Sequence, residues 1–243
     1  MRALLLLPFL AAPAWAQDAP ETPPVPTPAP EATPAPQRIF QPPAGCEAFL
    51  TVQMASCTVS HHFTCERDPE GWQRRVDMDE GGVTYFGAVD AETQWMESYH
   101  VLSEHSERLG DAPDPASLTG LLGTGTDTFD FVTESPEIGQ TRYRGEDRLT
   151  GETATIDGVT LDRTEYEMVA ETPDGEEAWR GTGRQFISRE WRMFLSGTST
   201  NTANGETSES DDTPVEFIMP GERGFLSVTP IHGCGAVMSK AAP

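Results

Sequence analysis

Short runs of alternating apolar and polar residues, broken by turn formers roughly every 8–12 residues, constrain this chain more than any other feature. Period-two alternation builds half-buried strands, and close turns join such strands antiparallel. Asp157-Gly158, set between Thr153–Ile156 and Val159–Leu161, is the plainest case. An Asp-Gly pair accepts the left-handed backbone that a two-residue hairpin demands.

The same pattern runs along much of the chain. Cys57, Val59, His61, Phe63 and Cys65 alternate with polar neighbours, and Asp68-Pro69-Glu70-Gly71 is a turn by type. Return strands are expected around Trp72–Met78, Val83–Val89 and Gln94–Val101. Residues 90–109 also admit a helix capped by Asp90, but the regular meander favours strand. Further strands are expected at Phe129–Phe131, Thr141–Leu149, Val159–Ala170, Ala178–Ser188, Val215–Met219 and Gly224–Val228. The apolar set of the long strand changes parity between Leu161 and Tyr166, which predicts a bulge near Arg163. Two segments read as short helices: Cys46–Ala55, and a stretch capped by Asp114 with Pro115 at its first position and Leu118, Leu121 and Leu122 on one face. Ser196–Thr213, polar and rich in Gly and Ser, reads as a mobile loop.

Upstream of this pattern the composition changes twice. Arg2, an apolar run from Ala3 to Ala12 and Ala14-Trp15-Ala16 have the layout of a secretory signal peptide over residues 1–16. The apolar run is shorter than the roughly 20 residues that span a bilayer. No Cys follows the expected cleavage near Ala16, so no lipid anchor is indicated. Residues 17–44 carry ten prolines among Ala, Thr and Glu, a composition that stays solvated and extended. One antiparallel β domain is therefore expected over 45–240, and the leader places it in the periplasm or outside the cell.

The fold expected is mainly β: a curved antiparallel sheet forming a half-open barrel or a sandwich, with one or two short helices. The stretches TIDGVTLDRTEYEMVA (155–170) and GRQFISREWRMFLSG (183–197) give the chain an architectural resemblance to the half-open β-barrels of periplasmic lipoprotein carriers. That resemblance implies an apolar groove able to hold an acyl chain or a peptide.

In an oxidising compartment the four cysteines, Cys46, Cys57, Cys65 and Cys234, are expected as two structural disulfides. If 57–65 is extended, its ends lie about 26 Å apart, too far for a Cys57–Cys65 bridge. Cys46–Cys57 with Cys65–Cys234, or Cys46–Cys65 with Cys57–Cys234, remain. The short 46–57 interval closes a loop easily and favours the first.

Other chemistry is weakly signalled. Cys57, His61, His62 and Cys65 carry copper- or zinc-type donors, but a strand spreads them too far to share one ion. Asp77-x-Asp79-x-Gly81 opens like a calcium loop, yet its twelfth position is Ala88 instead of a bidentate Glu. Gly123-Thr124-Gly125-Thr126 lacks the lysine of a phosphate loop, and no Gly-x-Ser-x-Gly elbow occurs. Histidines at 61, 62, 100, 105 and 232 nominate no triad. Arginines 142, 144, 163, 180, 184, 189 and 192 suit an anion site or cross-strand ion pairs. A formal charge of −23 argues against nucleic acid or an anionic membrane surface as partners.

The function expected is a non-enzymatic exported domain, without cofactor or catalytic residues, that binds an apolar small molecule, a lipid or an envelope protein. Two alternatives are kept: a secreted hydrolase whose site assembles only in three dimensions, and copper or zinc binding through Cys57, His61, His62 and Cys65.

Overall fold

A computed structural model describes residues 38–235; the expected signal peptide and most of the proline-rich segment lie outside them. Fourteen strands form one antiparallel sheet. The first half holds β1 (Cys46–Met54), β2 (Thr58–Cys65), β3 (Gln73–Asp79), β4 (Gly82–Val89), β5 (Trp95–His100), β6 (His105–Leu109) and β7 (Thr126–Ser135). The second holds β8 (Gly139–Ile156), β9 (Val159–Glu171), β10 (Glu177–Ser188), β11 (Met193–Leu195), β12 (Thr198–Ala203), β13 (Glu206–Asp211) and β14 (Pro214–Ile218). Strands β1 to β10 are neighbours in chain order, β12 and β13 extend the sheet beyond β10, and β14 returns to the outer edge of β1.

The sheet curls without closing into a barrel. Only Asp212 and Thr213 separate β13 at one end of the strand order from β14 at the other. Such a short link reaches roughly 10 Å, so the two ends meet at that corner without pairing. Asp157, in the β8–β9 turn, accepts the Phe217 N–H (2.8 Å) and ties the hairpin tip to β14. Leu50, Val52, Leu161, Phe186, Leu195 and Phe217 fill this junction.

Glycines permit the curvature. Gly87, Gly145 and Gly183 all face inward, where a Cβ would collide with a ring. At Gly87 it would lie 2.6 Å from Tyr85, at Gly145 2.5 Å from Phe129, and at Gly183 2.7 Å from Tyr166. Each missing side chain lets an aromatic lie flat against the backbone.

Several expectations are corrected. Cys46–Ala55 is a strand, not a helix. Its pairing with β2 sets Cys46 opposite Cys65, and these two are bridged, while Cys57 at the turn joins Cys234. The favoured 46–57 pairing fails because extended backbone carries those residues to opposite ends of β1. All four cysteines are disulfide-bonded, and Cys57 and Cys65 are not paired with each other.

Ser196–Thr213 is not a loop but contains the β12–β13 hairpin, with Asn204 (φ 53°) and Gly205 (φ 80°) at its turn. Helix α1 spans Leu118–Thr124 and is capped by Ser117, whose Oγ accepts the Gly120 N–H at 3.0 Å. Asp114 instead bridges to Asp130. Gly224–Val228 forms turns with one isolated bridge rather than a strand. The predicted irregularity near Arg163 exists, but the extra residues belong to β8, between Leu149 and Thr153. Beyond it the hairpin tip turns its other face, with Val159 and Leu161, onto the junction described above.

Contacts with the sheet begin upstream of the expected boundary at Gly45. Phe40 donates its N–H to the Leu226 carbonyl (2.7 Å) and stacks on His61, and Ile39 bridges to Ser227.

Candidate functional site

The concave face holds a cavity of about 250 Å³. Its apolar walls follow from strand register. Phe129 and Phe131 alternate on β7, Met168 lies on β9, and Trp95 pairs with Val89 across β4–β5. Trp95, Phe131 and Tyr143 form an edge-and-stack cluster with ring centroids 5.3–5.7 Å apart, a geometry that favours rigid aromatic walls. Trp95 is 42 % exposed, large for an aromatic inside a groove.

One end of the groove is held shut by polar ties. Glu92, between β4 and β5, accepts the N–H and hydroxyl of Thr119, both at 2.7 Å, and so anchors α1. Arg192, between β10 and β11, reaches the same carboxylate and the Ala91 carbonyl (both 3.2 Å). Gln73 donates to the Trp191 carbonyl at 2.7 Å. Leu118 and Leu121 of α1 pack on Ile187 beneath this strap.

Polar groups occupy the β2–β4 wall. Ser60 donates to Asp77 (2.6 Å), and Arg75 Nε lies 3.3 Å from the same carboxylate oxygen. The Arg75 guanidinium sits over the Tyr85 ring, 4.9 Å from its centroid, a cation–π contact. His62 Nε2 lies 3.3 Å from Ser60 Oγ. Burial, the Arg75 charge and His61 together lower the His62 pKa to about 3, so its imidazole is neutral at physiological pH. On the opposite wall Asp147 pairs across β7–β8 with Asp127. Burial, helped by the charges of Asp127 and Glu146, raises the Asp147 pKa to about 7.

Ser60, His62 and Asp77 are the residue types of a triad without its geometry. Ser60 is fully buried, and its single proton is directed to Asp77 rather than to the imidazole.

The sequence-nominated candidates separate. His61 and His62 point to opposite faces: His62 lines the groove, while His61 lies buried under Phe40 with Nδ1 2.9 Å from Thr51 Oγ1. Cys57 and Cys65 have no thiolates to offer a metal. Asp79 caps its own turn through the Gly81 and Gly82 N–H groups, while Asp77 turns to Ser60. Among the seven arginines, Arg142, Arg144, Arg180, Arg184, Arg189 and Arg192 pair with Asp130, Glu171, Glu177, Glu165, Asp162 and Glu92 respectively.

Sequence reasoning passed over Arg75, Tyr85 and Asp147. Each sits at an inward position of a strand; a charged residue at such a position was the available signal for Arg75 and Asp147, and Tyr85 carried none.

Fold and site together define a curved antiparallel sheet cradling an aromatic-walled groove with a polar flank. No protein-family model, curated protein or solved structure matches the chain.

Proposed function

We propose that this is an exported binding protein that holds a small apolar-bodied molecule in the concave groove, with its polar end toward Arg75 and Tyr85. The observation that carries this reading is the cavity itself. Trp95, Phe129, Phe131 and Met168 offer apolar contact beside the Arg75 guanidinium, the composition of small-molecule sites generally. Its volume lies just below the roughly 300 Å³ at which such sites begin, which favours a compact ligand over a long chain. A periplasmic or extracellular setting, after cleavage near Ala16, accords with two disulfides. No helix among the described residues is long and apolar enough to cross a membrane. The hydroxyl of Ser60, buried and committed to Asp77, favours binding over hydrolysis.

Titration with N-phenyl-1-naphthylamine, an uncharged fluorescent probe, tests the reading. The expected result is saturable binding, one probe per chain, displaced by a medium-chain fatty acid. Ala116→Trp, which places a ring in the groove from the α1 approach, abolishes it while circular dichroism stays unchanged. Absence of saturable binding, or equal binding by Ala116→Trp, overturns the proposal.

A further inference from the structure

A second constellation lies on the same concave face, beyond Tyr85. The β5–β6 register sets His100 directly opposite His105, and Glu107 follows two residues on, facing the same way. The imidazole rings lie parallel, 4.6 Å between centroids and 12° between planes. Both present Nε2 to one carboxylate oxygen: His100 at 3.5 Å and His105 at 3.9 Å from Glu107 Oε2. The three donor atoms all lie within 4.8 Å of one another.

Hydrogen bonding does not account for this convergence. Good N–H···O bonds are about 2.9–3.0 Å long, and both imidazoles stand off further. The separations suit donors around a common ion instead. Metal–nitrogen bonds of about 2.0–2.1 Å in a tetrahedral site place ligand atoms roughly 3.3 Å apart.

The supporting residues are arranged for the same purpose. Oε1 of Glu107 accepts from the Thr133 hydroxyl (2.6 Å) and the Tyr143 hydroxyl (3.0 Å). Those bonds fix the carboxylate and leave Oε2, contacted only by Ser98 Oγ at 3.4 Å, facing the imidazoles. Outer hydrogen bonds that orient a ligating carboxylate are typical of built metal sites. Glu107 is 6 % exposed.

We propose that His100 Nε2, His105 Nε2 and Glu107 Oε2 form a three-ligand site for a divalent transition metal of the zinc class. Two imidazoles and a carboxylate favour Zn²⁺ or Cu²⁺ over Ca²⁺ and Mg²⁺, which take all-oxygen sets. Three protein ligands leave a fourth tetrahedral position for water or an exogenous donor. The site is separate from Cys57, His61, His62 and Cys65, and separate from the apolar-ligand reading.

The test is calorimetric titration of the disulfide-intact chain with Zn²⁺ in about 0.15 M salt, which screens the loose attraction of a strongly acidic protein. One Zn²⁺ per chain is expected. His100→Ala and His105→Ala each weaken it at least tenfold, and His232→Ala leaves it unchanged. Co²⁺ bound in place of Zn²⁺ gives the intense visible bands of a low-coordinate site in the parent and loses them in His105→Ala. The His100 side chain is 40 % exposed, so its truncation leaves the fold intact, and an unchanged circular dichroism spectrum and urea midpoint check this without reference to metal. No stoichiometric Zn²⁺ binding, or binding that His100→Ala leaves untouched, overturns the proposal.

Discussion

The hydroxyl of Tyr143 donates to Oε1 of Glu107 at 3.0 Å and joins the aromatic wall of the groove to its buried carboxylate. Tyr143 stacks on Phe131 on one side and meets Trp95 and Trp179 edge-on, so the ring has no room to swing away. Hydrogen bonds to charged groups are worth about 1.5–3 kcal/mol. Tyr143→Phe keeps the packing and removes one of the two donors to Oε1. We expect a loss of about 2 kcal/mol in urea unfolding at neutral pH. Because Thr133 still holds the carboxylate, that loss falls short of the cost of Glu107→Ala.

The inward glycines predict an asymmetry between two outwardly similar substitutions. A Cβ at Gly145 would lie 2.5 Å from the Phe129 ring and closer still to the Glu167 carbonyl, which is fixed backbone. Gly145→Ala therefore destabilises by an amount typical of overpacking, about 1–3 kcal/mol or more. Gly123 lies within α1 with nothing near its missing Cβ, and alanine there gains about 0.5–1 kcal/mol of helix propensity. Melting temperatures of the two variants should move in opposite directions. A fall for both would place the glycine requirement in α1 as well as in the sheet.

Legibility in the sequence followed burial contrast. Where one strand face is buried and the other more open, as around Phe129 and Phe131 in β7 or at the Asp157-Gly158 hairpin, alternation reveals the element. Both faces of β13 are exposed, so the hairpin at Asn204-Gly205 carries no hydrophobic period and resembles a loop. In β1 the run from Leu50 to Met54 is buried on both faces, and its period-two alternation is obscured by the contiguous apolar Ala48-Phe49-Leu50 that precedes it. The disulfide preference failed with that element, since pairing depends on register and register cannot be read from spacing. Site residues were hidden for a further reason. His100 and His105 meet only because a turn at Val101–Glu104 sets them opposite, and Glu107 gains its partners from β7 and β8.

Acid should weaken the fold through His61. The imidazole is fully buried, and desolvation lowers its pKa from 6.5 to about 4. Its Nε2 has no hydrogen-bond partner among the described residues. Between those two pH values the unfolded chain binds a proton that the folded chain refuses, so stability falls as pH drops below about 6.5 and levels off below about 4. For one group this amounts to about 3 kcal/mol. His62, lowered to about 3 by burial and by Arg75, acts in the same direction. Urea midpoints between pH 7 and pH 5 should decline, and His61→Phe, which keeps the stack on Phe40, should reduce the slope. An unchanged slope would falsify the assignment to His61.

Asp147 works with the opposite sign and inside the groove. Its folded pKa is raised to about 7 from 3.8, so the folded chain holds a proton that the unfolded chain has released, and this contribution to stability is lost as pH rises across that interval. Around it stand Tyr166 on β9, Asp127 on β7 and, across the cavity, His62, Arg75 and Tyr85. Only Asp147 among the cavity-lining groups changes charge near neutrality. Ionisation adds a negative charge to an apolar cavity, which hydrates it and repels an anionic ligand. Binding of a fatty acid, followed by naphthylamine displacement, should therefore weaken as pH rises from 6 to 8, with the uncharged probe less affected. Asp147→Asn should bind at pH 8 as the parent does at pH 6. If the Asn variant keeps the full pH dependence, the titrating group lies on the ligand or elsewhere in the groove.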